Sequence, residues 1–110
     1  MINAKKEFVE EIGSRTVKCA TITKGRSYDD DRRTIKLKCG YSKSDYTRFK
    51  ARINFEYNNG YGGQELYGTV WYTDGSWSER GEYDGSEWWE HKECPEIPTE
   101  LGEWKWKWKN

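Results

Sequence analysis

Between residues 75 and 95 the chain reads GSWSERGEYDGSEWWEHKECP. This run holds Glu79, Glu82, Asp84, Glu87 and Glu90, together with Trp77, Trp88, Trp89, Arg80, His91 and Cys94. Closely spaced carboxylates are what general acid–base chemistry and glycoside hydrolysis use. Acids at alternate positions of short strands are also an ordinary solvated face, and Asp84 sits in an Asp-Gly turn dipeptide. A chain of 110 residues has little material for a deep substrate cleft, so no catalytic residue is assigned and a non-enzymatic role is expected.

His91 and Cys94 raise the question of a metal. Cys19 and Cys39 would have to complete a Cys₃His zinc set. No Cys-x-x-Cys pair exists, and Cys19 and Cys39 fall singly in separate strand-like segments. They read more simply as small buried hydrophobes, so neither metal nor cofactor is expected. A Ser-His-acid triad finds no Gly-x-Ser-x-Gly elbow. The glycine-rich NNGYGGQ at 58–64 lacks the Gly-Lys-Ser/Thr ending of a phosphate loop.

What survives is a binding surface. Glu79, Glu82, Glu87 and Glu90 supply electrostatic steering, and Trp77, Trp88 and Trp89 supply apolar anchoring. Arg80, alone among acids, is expected to be an internal charge partner.

These residues need a scaffold. Two Asp-Gly-Ser turns, at 73–76 and 83–86, predict a meander of strands 66–73, 76–83 and 86–92. A two-residue first turn pairs Tyr72 with Trp77 and sets Glu79 opposite Val70. Upstream, Asn3 caps a short helix with Phe8, Val9 and Ile12 as its stripe and Gly13 as its stop. The segments 16–23 and 34–39 form a hairpin around the polar loop 24–33. Phe49, Ala51, Ile53, Phe55 and Tyr57 alternate with polar residues and predict a strand over 49–57; a helix starting from Ser44 over 44–51 is the rival. The end, EWKWKWKN, alternates Trp104, Trp106 and Trp108 with lysines and reads as an edge strand. The expected fold is α+β and β-dominated: a short N-terminal helix with a mostly antiparallel sheet of five or six strands.

Composition sets the character of the core. Apolar residues are 34% and charged residues 35%, with seven Trp and eight Tyr. The core must lean on aromatic rings, which bury much area per residue. The N-terminus has no apolar h-region, no run approaches membrane-spanning length, and three cysteines is an odd number for a disulfide framework. A cytoplasmic protein with reduced thiols is expected.

The net charge of zero hides an asymmetry. Residues 1–55 carry 14 Lys/Arg against 7 Asp/Glu, and residues 56–110 carry 5 against 12. A single domain, 1–110, is thus divided into a basic half (1–55), an acidic meander (56–103) and a short basic, aromatic tail (104–110). Such a pattern speaks about partners. The acidic, aromatic stretch points to a basic protein, itself nucleic-acid-binding, whose phosphate groove the acids occupy. Direct binding of single-stranded nucleic acid by the basic strands and tail is one alternative. Carbohydrate or small-ligand binding on an aromatic platform is another, and it requires the Trp side chains to line one exposed strip.

Residues 55–98, through GYGGQEL, VWYTDGSWSERGEYDGSEWW and PEIP, resemble small uncharacterised phage and prophage proteins. The resemblance implies an inhibitor of host defence, of the anti-CRISPR type, acting in the host cytoplasm. The basic half departs from a fully acidic DNA mimic, which favours a local acidic face.

Overall fold

The computed structural model describes residues 1–60, 62–96 and 98–102. The expected tail strand at 104–109 lies outside them. Among the described residues the protein is α+β and β-dominated, with two helices and seven strands. In chain order these are β1 (Ile2–Asn3), α1 (Ala4–Ile12), β2 (Val17–Lys24), β3 (Arg33–Leu37), α2 (Lys43–Arg52), β4 (Glu56–Tyr57), β5 (Leu66–Tyr72), β6 (Trp77–Tyr83) and β7 (Ser86–Lys92). A 3₁₀ turn, Thr99–Leu101, follows.

Five strands form one antiparallel sheet in the order β3-β2-β5-β6-β7. β1 and β4 make a separate two-stranded pair. Helix α1 begins as expected: the Asn3 side chain accepts from the Lys6 N–H at 2.9 Å. Its buried stripe is Ala4, Phe8 and Ile12, while Val9 faces out. That stripe keeps a spacing of four, one helical face.

The strand expected over 49–57 does not form as one element: its first four residues, 49–52, belong to helix α2 and its last two to β4. Ser42, not Ser44, is the cap. Its hydroxyl accepts from the Asp45 N–H while Asp45 accepts from the Ser42 N–H, a reciprocal capping box. Tyr46, Phe49 and Ile53 then fall on one side at helical spacing and turn inward. The alternation favoured a strand, but Ala51 is exposed while Phe49 and Ile53, four apart, are buried, and the cap at Ser42 sets that helical face. Only Glu56 and Tyr57 remain extended.

Both helices cover one face of the sheet. Phe8 of α1 meets Phe49 of α2 edge to face, with ring centroids 5.5 Å apart. Beneath them lie Ile22, Ile35, Leu37, Leu66, Val70, Tyr72 and Trp89 in one continuous cluster. The core is thus aliphatic at the β2–β3 end and aromatic toward β7. Cys39 is exposed and Cys19 half-buried, so neither is the buried hydrophobe expected of it. Burial, and then the neighbouring Cys39 thiol, push the Cys19 thiol pKa up.

The first meander turn differs from expectation by one residue. The Tyr72 N–H donates to Ser76 O at 3.0 Å, and Gly75 N–H donates to Tyr72 O at 3.2 Å. The loop therefore holds three residues, 73–75, with Gly75 at φ +89°. Asp74 accepts from the Ser76 N–H at 2.8 Å, and this bond holds the longer loop. Trp71, not Tyr72, faces Trp77, and Glu79 faces Thr69 rather than Val70. Tyr72 and Glu79 consequently lie on opposite faces of the sheet. The second turn is the two-residue form expected: Tyr83 pairs with Ser86, and Asp84 and Gly85 take φ of 51° and 87°.

Candidate partner-binding face

Register and burial together divide the meander's side chains between two faces. Toward the helices point Tyr72, Ser78, Arg80, Glu87, Trp89 and His91. Toward the open face point Tyr67, Thr69, Trp71, Trp77, Glu79, Gly81, Trp88, Glu90 and Lys92.

The helix-facing set builds a buried polar network. Arg80 has a side chain only 1% exposed, and its guanidinium donates to Glu87 at 2.9 Å, to the Tyr57 hydroxyl at 2.8 Å and to Glu7 at 3.3 Å. Tyr57 in turn donates to Glu7. Burial, and then this bond to Glu7, push the Tyr57 pKa far above its ordinary value. The guanidinium lies between the rings of Tyr57 and Trp89, 5.5 and 5.1 Å from their centroids. Glu87 also accepts the main-chain N–H groups of Glu65 (2.7 Å) and Leu66 (2.9 Å). Arg80 is the internal charge partner expected. Two residues expected at the surface belong to the interior instead: Glu87 is 2% exposed and Trp89 is 8% exposed. A carboxylate among acids looks like a solvated one in sequence. Here a single arginine at the centre of β6 and the main-chain N–H groups of Glu65 and Leu66 draw it in.

A second buried group sits nearer the first turn. Ser78 donates to Glu11 and bonds Tyr72, each at 2.7 Å. The Arg15 guanidinium lies against Tyr72 and donates to His91 Nδ1 at 3.3 Å. Ser, His and Glu are thus neighbours, with Ser78 wholly buried. Among the described residues no three His, Cys, Asp or Glu side chains are grouped to hold a metal ion. Cys94 is exposed.

The open face carries the remaining expected residues except one. Glu82 stands at the exposed end of β6, where its carboxylate accepts the Gly85 N–H at 3.0 Å and supports the turn. Trp77 is half-buried beside Trp71, and Trp71 and Trp88 are 41% and 37% exposed. Tyr67 extends this strip along β5, a contribution that sequence reasoning missed because its face depends on register. The strip has a fixed anchor. A Cβ on Gly81 would lie 2.9 Å from Trp88 Nε1 and 2.8 Å from Glu90 Oε1. The Trp88 indole therefore crosses Gly81, and its N–H donates to Glu90 at 3.0 Å. Glu79 faces Glu90 directly across the strands, and Lys92 bridges both. Its bond to Glu79 raises the Lys92 pKa. Two carboxylates sharing one ammonium leave a local negative charge beside an immobilised ring.

No protein-family model, curated protein or solved structure matches this chain in sequence or fold. Among the described residues no helix is long and apolar enough to cross a membrane.

Proposed function

We propose that this protein is a non-enzymatic binding module whose open sheet face docks a cationic protein surface. The observation that carries the reading is the Trp88 indole fixed across Gly81 and tied to Glu90, with Glu79 opposite. A guanidinium can stack on such a ring while its edge donates to a carboxylate. Trp71, Trp77 and Tyr67 extend the contact along β5 and β6. The ring positions are held by strands, so little side-chain entropy is lost on binding.

Arginine-rich surfaces are typical of proteins that handle nucleic acid. With the resemblance of residues 55–98 to phage proteins, this makes a host nucleic-acid-handling or defence complex, in the cytoplasm, the proposed target. The contact is local to β5–β7, in keeping with a chain whose other half is basic.

Calorimetric titration with an arginine-rich peptide over a salt series tests the reading. Binding should weaken with salt and fall by about tenfold or more in Trp88→Ala and in the Glu79→Gln/Glu90→Gln pair. The reading fails if the peptide does not bind. It also fails if a single-stranded oligonucleotide or an oligosaccharide occupies the same tryptophans in its place.

A further inference from the structure

At the opposite end of the sheet from β7, strand β3 pairs, among the described residues, with β2 alone. Its outer edge carries main-chain donors and acceptors that no described strand takes up, a template for an added strand. That edge forms one wall of a groove of about 390 Å³. Residues 35–41 line it without a break, and α2 forms the other wall through Asp45, Arg48, Phe49 and Arg52. These helix positions are one stripe, three and four residues apart.

We propose that this groove docks an extended, acidic peptide segment of a partner protein, which adds to the sheet as a strand beside β3. Charge identifies the occupant. Arg48 and Arg52 stand on the helix side of the edge, and Lys36 and Lys38, alternating with the buried Ile35 and Leu37, stand on its other side, so an added strand would meet cations on both of its faces; all four are exposed. The single acid of the groove, Asp45, is already engaged with the Ser42 N–H at 3.0 Å and Arg48 at 3.4 Å. The chain's own end, with Lys105, Lys107 and Lys109, has the wrong charge to fill the site. So has the β3 edge of a second copy.

Lysines on an edge strand can serve only to prevent aggregation. That role does not call for two arginines on a separate helix beside the edge, nor for an apolar floor of Leu37 and Phe49. The strand edge at residues 35–37 favours a polypeptide over a phosphate ligand, because an extended peptide satisfies both donors and acceptors of an edge. The inference concerns a different edge from the aromatic face and stands whether or not that face binds arginine.

The test is an amide-shift titration of the ¹⁵N-labelled full chain with a short peptide alternating Val and Glu. Amides of residues 34–41 and 45–52 should move saturably. The Arg48→Glu/Arg52→Glu variant should bind about tenfold or more weakly while keeping its amide dispersion, since both side chains are exposed. A peptide of the same charge, N-methylated at alternate main-chain positions, should lose binding. Equal binding of the methylated peptide would overturn strand addition. So would unmoved amides at 34–41, or stronger binding of oligodeoxythymidylate at the same residues.

Discussion

The Arg80 guanidinium donates to the Glu87 carboxylate at 2.9 Å, and the two side chains are 1% and 0% exposed. Removing one partner leaves a charge in the interior with nothing opposite. Arg80→Met should therefore cost about 3–5 kcal/mol in urea unfolding. Adding Glu87→Gln to it should cost less than the two single changes summed, because neutralising the carboxylate relieves the unpaired charge that Arg80→Met leaves, although the single amide oxygen keeps only one of the two bonds from the Glu65 and Leu66 N–H groups. Additive losses would show the pair to be uncoupled.

Two glycines on the sheet should respond differently to alanine. At Gly68, φ is +155° and a Cβ would lie 2.4 Å from Thr21 O, a main-chain atom that cannot step aside. Gly68→Ala should destabilise by about 3 kcal/mol or more. At Gly81 the obstacles are the ends of the Glu90 and Trp88 side chains. Gly81→Ala should keep most of the stability but shift the indole, and affinity for the arginine-rich peptide should drop more than the melting temperature does.

Hydrogen bonds from Ser76 lower the Asp74 carboxyl pKa below its ordinary 3.8. Bonds from Ser42 do the same for Asp45. A depressed folded-state pKa contributes stability above the unfolded value and loses it as pH falls through the folded one. Unfolding midpoints followed from pH 5 downward, a span of about two units, should fall less steeply in Asp45→Asn and Asp74→Asn than in the parent. A parallel acid limb in both variants would count against these two groups.

The capping box offers the simplest check on α2. Ser42→Ala removes the acceptor for the Asp45 N–H and should cost about 1 kcal/mol, read by denaturant midpoint. Ser44→Ala, which touches only the Ser42 hydroxyl, should cost less.

By itself the sequence determined the short-range features. Asn3 and Gly13 bracket α1, Asp84-Gly85 makes the tight turn, and the β-branched runs become β2 and β3. Each rests on a few adjacent residues whose backbone preferences agree. The lone arginine among acids was also legible as an internal ion partner, because one cation among many carboxylates has little choice of environment. Only the tertiary structure decided which residues face water. One extra loop residue at Gly75 exchanges Tyr72 for Trp71 opposite Trp77. With a side-chain period of two, the register of this hairpin sets which side of the sheet each residue joins. Glu87 and Trp89 left the surface for the same kind of reason: Arg80, Glu7 and Tyr57 come from three separate segments, and no local pattern records that they meet. The groove beside β3 is likewise invisible in sequence, since it exists only where a strand edge and a helix from different stretches stand apart.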